Sequence, residues 1–386
     1  MEMTRKWTDK NKMNKPALAA ENFISPEETI AGIETYGQGI IHDTYLVKPG
    51  NTADWFILQR INTQVFKNPE AVRYNLRLVC EHIRKRMLEN RSNIDTNWQM
   101  MQPMPARDGR DFFIDAGGNI WRALSFIRGA RPLEQISSLD DAREAGRALG
   151  TFHFLTSDLD PELLHDALPG FHNVEQYLKH YDAVAAGVAK ETSEAGKFCQ
   201  QFVADRRSWA PVLENGRCQK KLQVRVIHGD PKINNIMLDR VTGRAVSMID
   251  LDTVMPGLVH YDIGDCLRSC CNTKGEETSD FSAVRFDPRR CAAVLSGYTG
   301  EAHRFLKGPD FDFLFDAIRL IPFELGLRFY TDFLEGNVYF KASRSTQNLD
   351  RAMVQFMLVQ SIEEQEERLR AIVKECRAVF TGGNSD

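Results

Sequence analysis

The sequence predicts an α+β protein with two lobes, a small antiparallel β-sheet lobe followed by a larger, mainly helical lobe. Between Ile33 and Ile127 the apolar residues form short, β-rich stretches that are separated by turn residues. Beyond Pro132 the apolar residues instead recur at the spacing of helices. The 386 residues also suffice for two to three domains at about 150 residues each. Two lobes therefore fit both the pattern and the length.

The strand signals of the first lobe lie in four segments, Ile40–Val47, Trp55–Ile61, Phe112–Asp115 and Asn119–Phe126. One helix interrupts them, because the apolar residues after Asn68-Pro69 recur at spacings of three and four. These apolar residues are Val72, Leu76, Val79, Ile83 and Met87. We expect a mobile tail over residues 1–20, a β-rich lobe over 21–130 and a helical lobe over 131–380.

The helical lobe contains an island of strand signals. They cover Leu222–His228, Ile236–Leu238 and Ala245–Leu251, and a turn-rich segment separates the last two. Such an island predicts a local hairpin that carries polar groups.

Composition excludes several classes of protein. The 49 Lys and Arg residues against 53 Asp and Glu residues give a net charge of −4, without the basic surface typical of nucleic-acid-binding proteins. No stretch approaches the roughly 20 apolar residues of a membrane-spanning helix, and no apolar run follows the basic N-terminus as in a secretory signal. The eight cysteines lack regular spacing. We expect reduced thiols and a cytoplasmic protein.

Three oxygen-bearing side chains stand beside the short strands of the island. Asp230 and Asn235 belong to the segment His228-Gly229-Asp230-Pro231-Lys232-Ile233-Asn234-Asn235, and Asp250 follows Ser247-Met248-Ile249. Phosphoryl transfer needs such a set, because it depends on a positioned carboxylate for the attacking hydroxyl and on hard oxygen ligands for Mg²⁺. The alternative, that these residues only form turns, is the weaker interpretation.

This pattern resembles that of the aminoglycoside phosphotransferase and choline kinase superfamily, whose members are related to protein kinases. The resemblance implies a protein-kinase-like fold and ATP-dependent phosphorylation of a small molecule. It also implies that Asp230 is the catalytic base, that Asn235 and Asp250 bind Mg²⁺, and that His228 is a scaffold residue. Asp252 then either assists the metal, contacts the substrate or is structural.

The first lobe has features that suit nucleotide binding. Gly37 and Gly39 lie in a predicted strand-turn-strand where the backbone could approach phosphate, although plain hairpin chemistry explains them equally well. The strand Trp55–Arg60 occupies the place of the phosphate-anchoring lysine strand of protein kinases, yet it carries Gln59 and Arg60. Either Arg60 replaces that charge, or metal and loop hold the phosphates alone.

Several stretches resemble one branch in particular, the N-acetylhexosamine 1-kinases. The likeness is strong in the catalytic core and extends to the segment Leu327–Phe340, where Arg328 and Tyr339 match positions that hold the sugar and its N-acetyl group. The resemblance also brings His42 and Asp43 toward the sugar. We therefore expect the anomeric hydroxyl of GlcNAc or GalNAc to be the acceptor. Arg328 and Tyr339 serving only as core residues is the alternative.

Two rival functions stay open. One is a kinase for choline, homoserine, an aminoglycoside or another hexose, for which four residues offer acids: Asp43, Glu324, Asp332 and Glu335. The other is a nucleotide-binding protein without turnover. The expected partners are a small-molecule acceptor and a nucleotide, with no nucleic acid and no membrane, and the sequence leaves the oligomeric state open.

Overall fold

A computed structural model describes residues 15–37, 41–50, 54–89, 97–188 and 193–382. The described residues fall into two compact units that divide after Gly129. Unit 1 comprises residues up to 89 together with 99–129, and unit 2 comprises 97–98 together with 130–382. Unit 1 contains an antiparallel sheet and unit 2 is mainly helical, so the predicted α+β class is confirmed.

Unit 1 is built on a six-stranded antiparallel sheet. Its strands are β1 (Ile30–Thr35), β2 (Asp43–Pro49), β3 (Phe56–Arg60), β4 (Pro103–Met104), β5 (Phe113–Ile114) and β6 (Ile120–Ser125). The order is β1-β2-β3-β6-β4, and β5 pairs with β6. The helix predicted after Asn68 is confirmed as α2 (Pro69–Glu89).

One face of this sheet forms the core of unit 1. Phe56, Leu58 and Trp121 on the sheet pack with Ala19 and Ala20, which belong to a helical segment over residues 15–20, here α1. The expected tail is therefore wrong for residues 15–20, while residues 1–14 lie outside the described residues. The physical reason is that alanine has the highest helix propensity, and its small side chain lets a helix approach a sheet closely.

The helices of unit 2 follow in chain order. They are α3 (Leu139–Thr156), α4 (Val174–Gly187), α5 (Glu194–Arg206), α6 (Val212–Cys218), α7 (Val259–Cys271), α8 (Pro288–Ala302), α9 (Gly308–Asp312), α10 (Leu314–Leu334), α11 (Gln347–Glu363) and α12 (Glu366–Gly382). Helix α10 is buried along most of its length and packs against α4, α7 and α11. None of the described helices is long and apolar enough to cross a membrane.

The predicted island of strands is confirmed inside unit 2. Its strands are β7 (Ala130–Pro132), β8 (Arg225–Ile227), β9 (Ile236–Asp239), β10 (Ala245–Met248) and β11 (Met255–Gly257). They form two small antiparallel sheets, β10-β9-β7 and β11-β8. Within unit 2, sequence patterns did not predict β7 and β11, which have only three residues each, too few for a periodic signal.

Helices α3 and α8 cross at two glycines. A Cβ atom on Gly146 would lie 1.9 Å from the backbone oxygen of Val294, and one on Gly297 would lie 2.0 Å from the backbone oxygen of Arg143. The absence of both side chains therefore sets how closely the two helices pack.

We predict that Gly146→Ala destabilises the protein by about 1–3 kcal/mol, because the added methyl group must push two backbones apart. Gly300→Ala is the matched control, since Gly300 also lies in α8 but its Cβ would meet nothing within 4 Å. We expect the control to leave stability unchanged or to raise it by about 0.5–1 kcal/mol. Urea unfolding of the three proteins measures both values, and equal stabilities would contradict the close crossing.

Candidate active site

A loop of eight residues, loop 228–235, joins β8 to β9, and a buried carboxylate holds its beginning. Asp262 on α7 accepts hydrogen bonds from the backbone N–H groups of His228, at 2.6 Å, and Gly229, at 2.9 Å. The Nε2 atom of His153 lies 2.8 Å from the same carboxylate. Gly229 has a φ of 85°, and a Cβ there would lie 2.5 Å from the backbone oxygen of Thr253. Only glycine fits this bend.

Loop 228–235 presents the side chain of Asp230, which is 25% exposed. The Nζ atom of Lys232 donates to its Oδ2 atom at 2.5 Å. The Nδ2 atom of Asn235 donates to the backbone oxygen of Asp230 at 2.8 Å, so its amide oxygen faces away from that residue. The backbone N–H of Asp230 donates to Nδ1 of His228, whose Nε2 lies 3.0 Å from the backbone oxygen of Ile249. Both ring nitrogens of His228 therefore have hydrogen-bond partners within the protein.

The β9–β10 hairpin brings Asp250 to the same place. Met248 pairs with Ile236, and the backbone N–H of Ile249 donates to the backbone oxygen of Asn235 at 2.9 Å. Asp250 follows with φ 65° and ψ 55°, a left-handed conformation that ends the strand. Asn235 and Asp250 therefore lie at one end of one hairpin.

These residues fit a divalent cation of the Mg²⁺ type. Among the described residues, no group of three or more His, Cys, Asp or Glu side chains is arranged to hold a metal ion. Mg²⁺ does not require such a group, because it is commonly bound through one or two protein oxygens together with substrate phosphates. The amide of Asn235 and the carboxylate of Asp250 offer such oxygens.

Lys232 is one site residue that the sequence patterns did not single out. Burial alone would lower its pKa, but the negative charges of Asp230 and Asp250 outweigh that effect and raise the pKa above its usual value. The ammonium group is therefore charged, contacts Asp230 and interacts electrostatically with Asp250. A lysine two residues after Asp230 was the available signal, because it is the nearest cation to the predicted base in the sequence.

Arg328 on α10 lies among four aromatic rings. Its guanidinium carbon is 5.1 Å from the ring centres of Phe171 and Tyr177, 5.4 Å from that of Phe340 and 5.8 Å from that of Tyr339. We call these four residues the aromatic cage. Arg328 is only 15% exposed, and within the described part of the chain its guanidinium donates no hydrogen bond. Its N–H donors are available to an oxygen-bearing ligand.

The surroundings of Arg328 connect it electrostatically to loop 228–235. Glu324, one helical turn earlier, lies 3.9 Å from its guanidinium. Burial alone would lower the pKa of Arg328, but Tyr177, Tyr339, Glu324 and Asp230 together raise it. The predicted base and the predicted acceptor contact therefore belong to one electrostatic neighbourhood within unit 2.

Asp332, one turn beyond Arg328, fixes the segment that carries Tyr339. Its carboxylate accepts the backbone N–H groups of Val338, Tyr339 and Phe340 at 2.7–3.0 Å, and the side chain of Asn348 at 2.8 Å. Tyr339 itself is 51% exposed. The carboxylate thus orders the loop, while the tyrosine side chain projects from it.

The other predicted site residues differ in how accessible they are. Asp252 lies in the 3-10 turn Leu251–Thr253 and is buried. In unit 1, His42 is buried too, accepts the backbone N–H of Asn62 at 3.0 Å, and stacks on Phe66. A buried ring with these partners is typical of a structural histidine rather than of a substrate contact.

The residues of unit 1 that were predicted to bind the nucleotide are Gly37, Gly39 and Arg60. Gly37 has a φ of 74°, whereas Gly39 lies outside the described residues. Arg60 forms an ion pair with Asp43 across the β2–β3 pair, and its Nη1 donates to Asn119 at 3.3 Å.

The face of β3 opposite Arg60 carries a different cation. Gln59 points to that face because neighbouring residues of a strand alternate. Its side-chain oxygen accepts hydrogen bonds from Arg122 of β6 at 3.0 and 2.7 Å. The guanidinium beside Gln59 is therefore that of Arg122. Arg122 is a cross-strand neighbour, and the order of residues in the sequence did not predict this contact.

We predict that Asp262→Asn destabilises the protein by about 2–4 kcal/mol at neutral pH, because an amide cannot replace a buried carboxylate that accepts from three donors. Burial alone would raise the pKa of Asp262, but the hydrogen bonds and the charge of His153 outweigh it and hold the pKa below its usual value. A lowered pKa stabilises the fold above the unfolded-state pKa of about 4, and this contribution is lost as the pH falls through the folded-state pKa.

The free energies of unfolding of wild type and Asp262→Asn should therefore stay apart above about pH 4 and converge as the pH falls further, through the lowered pKa of Asp262. Urea unfolding at a series of pH values measures the gap, with the exposed Asp205→Asn as control. A gap that stayed constant with pH would contradict the role of the Asp262 charge.

Comparisons with known proteins agree with this fold. The chain is similar to the solved structures of a microcompartment-associated aminopropanol kinase (16% identity, TM-score 0.57, covering 94% of this chain and 99% of that one). It is also similar to an aminoglycoside phosphotransferase from Alicyclobacillus acidocaldarius (12%, 0.58, 95% and 96%) and to a choline kinase from Cryptosporidium parvum (11%, 0.55, 94% and 94%). At these identities the likeness shows the fold, and the predicted kinase-like architecture is confirmed.

The family follows from a separate comparison. A family model described as "Phosphotransferase enzyme family" matches residues 32–298, which is more than half of the chain and includes all of loop 228–235 and Asp250. The chain belongs to this phosphotransferase family, APH.

Proposed function

We propose that the protein is an ATP- and Mg²⁺-dependent kinase that phosphorylates the anomeric hydroxyl of an N-acetylhexosamine, GlcNAc or GalNAc. The products would be the sugar 1-phosphate and ADP. Membership of the phosphotransferase family supports the reaction type. The choice of a neutral sugar rests on one observation, the position of Arg328 inside the aromatic cage.

An aromatic cage would ordinarily favour a cationic ligand, since quaternary ammonium groups bind over the faces of aromatic rings. Here the cage already contains a cation of the chain, Arg328, with four ring centres within 5.8 Å of its guanidinium carbon. A cationic acceptor would have to approach this charge, whereas the oxygen atoms of a sugar can accept its hydrogen bonds. The arrangement therefore favours a neutral, oxygen-rich acceptor over choline or an aminoglycoside.

The acids that a cationic acceptor would need already have partners. Glu324 contacts His172 and Arg328. Asp332 accepts three backbone N–H groups. Glu335 lies 3.1 Å from His180, and Asp43 pairs with Arg60. All four acids that the sequence offered to this rival are engaged in the folded protein.

The chemistry assigned to loop 228–235 follows from its contacts. Asp230 would orient the acceptor hydroxyl and take up its proton as the new oxygen–phosphorus bond forms and the bond between the γ-phosphorus and the leaving oxygen of ADP breaks. The anomeric hydroxyl is more acidic than an ordinary alcohol, so positioning matters more than basicity. Lys232, 2.5 Å from Asp230, would offset the negative charge of the phosphates. Mg²⁺, held by Asn235 and Asp250, would supply further neutralisation of the phosphate oxygens.

We predict that ADP release with ATP and Mg²⁺ will be selective for GlcNAc or GalNAc in a panel that also contains glucose, galactose, choline, homoserine and kanamycin. Asp230→Asn should lower kcat by at least about 100-fold while nucleotide binding stays near normal, because the base is lost but the nucleotide contacts remain. Asp205→Asn, an exposed aspartate on α5, is the control.

Turnover of another acceptor would discard the sugar assignment and keep the kinase. If no compound of the panel causes ADP release while ATP still binds, the result would favour a nucleotide-binding protein without turnover. Normal turnover by Asp230→Asn would remove the base assignment.

We predict that Arg328→Gln raises KM for the sugar by at least about tenfold and leaves KM for ATP unchanged, because a hydrogen-bonding fork to the acceptor is lost. Arg328→Lys should recover only part of the affinity, since an ammonium group cannot reproduce the fork. Arg370→Gln is the matched control, because Arg370 also lies over an aromatic ring, that of Phe315 at 4.1 Å, but on α12. Steady-state kinetics with each substrate varied in turn measures these changes. An unchanged sugar KM in Arg328→Gln would contradict the role of the cage.

A further inference from the structure

We propose that His172 is a positioning residue that, as an imidazolium cation, ties the backbone of loop 228–235 to helix α10. The inference rests on the proposed function only where it treats Asp230 as the base and Arg328 as an acceptor contact. The contacts of His172 themselves do not depend on that function.

The hydrogen-bond partners of His172 require two ring protons. Its Nδ1 atom lies 3.1 and 3.4 Å from the two carboxylate oxygens of Glu324, and its Nε2 atom lies 3.2 Å from the backbone oxygen of Gly229. A carboxylate and a backbone carbonyl can only accept hydrogen bonds. A neutral imidazole carries one N–H and can satisfy only one side, whereas the imidazolium satisfies both.

The ring of His172 is held firmly in this place. The residue is 5% exposed, and its ring stacks on that of Tyr261 with centres 4.9 Å apart and an interplanar angle of 13°. Phe171 contacts it at 4.2 Å between ring centres. The backbone of His172 has a φ of 61°, an uncommon conformation outside glycine that its surroundings must maintain.

The charged and titratable groups around His172 come from several elements. They are Glu324 with Arg328 behind it on α10, Tyr261, Asp262 and Asp265 on α7, Asp230 next to Gly229, and Tyr177 on α4. Burial alone would lower the pKa of His172, but Glu324, followed by Asp265 and Asp262, outweighs it and raises the pKa above its usual value. The protonated form is therefore the stable one at low pH, and it is lost as the pH rises through the raised pKa.

The position of His172 links the two halves of the proposed site. On one side it holds the carbonyl of Gly229, the residue before the base. On the other it holds Glu324, whose second neighbour is Arg328 at 3.9 Å. Loss of one proton leaves either the carbonyl or the carboxylate without a donor, so loop 228–235 and α10 lose their common support. We therefore expect kcat to fall as the pH rises above the pKa of His172.

The first experiment observes His172 directly and needs no acceptor. Protein labelled with nitrogen-15 histidine is studied by long-range proton–nitrogen NMR from about pH 6 to about pH 9, and the signals absent in His172→Gln identify the residue. We expect both ring nitrogens of His172 to be protonated at neutral pH, and Glu324→Gln to lower the pH at which they titrate. A neutral His172 at neutral pH, or a titration that Glu324→Gln leaves unchanged, would overturn the proposal.

The second experiment uses the acceptor that the wild type phosphorylates best. We expect His172→Gln to lower kcat by at least about tenfold, to leave KM for ATP unchanged and to abolish the decline of kcat at high pH, because a misplaced reacting group is costly and glutamine does not titrate. Glu324→Gln tests the same link if His172→Gln does not fold. His180→Gln is the matched control, since His180 also pairs with a glutamate, Glu335 at 3.1 Å, but is exposed.

The two experiments separate the inference from the proposed function. If the wild type phosphorylates a different acceptor, the kinetic comparison proceeds with that acceptor. If it phosphorylates none, the NMR titration alone decides. A His172→Gln enzyme that kept both the wild-type kcat and its high-pH decline would overturn the positioning role.

Discussion

The buried carboxylate of Asp262 is the interaction on which the proposed site depends. It accepts two successive backbone N–H groups at the start of loop 228–235 and faces His153 on a third side. These donors would otherwise be buried without partners, and the charge would be buried without compensation. The same contacts fix the bend at Gly229, and the bend determines where Asp230 emerges. Helix α7 thus sets the position of the proposed base without presenting any reacting group itself.

Local sequence was enough to predict that three polar side chains of the proposed site lie close together. Asp230, Asn235 and Asp250 flank short strands of a single hairpin region, and antiparallel pairing at Met248 and Ile236 necessarily brings the strand ends together. The change of apolar period beyond Pro132 likewise predicted a mainly helical part after the sheet. These features depend on residues that are close together in the sequence, and such local relationships are visible in the sequence pattern.

The other half depends on contacts that leave no such signal. His172 and Glu324 are 152 residues apart, and the packing of α10 against α4, which begins just after His172, brings them together. The pairing of Gln59 with Arg122 was missed for the same reason, since it is a cross-strand contact between β3 and β6. The helix over residues 15–20 was missed because a short, alanine-rich segment resembles a tail in the sequence. Its packing against the sheet of unit 1 is what the sequence pattern does not show.

The charges of unit 2 alternate through the proposed site, and this arrangement supports the proposed preference for a neutral acceptor. Asp230 faces Lys232, and Glu324 lies between His172 and Arg328. Buried ions are costly unless each has an opposite charge and satisfied hydrogen bonds, and removing one member of a buried pair typically costs about 3–5 kcal/mol. Within this network the carboxylates are satisfied by the protein, whereas the donors of Arg328 are not hydrogen-bonded by any described residue. The unmet requirement of the site is therefore for hydrogen-bond acceptors, which sugar hydroxyl and N-acetyl oxygens supply and a quaternary ammonium group does not.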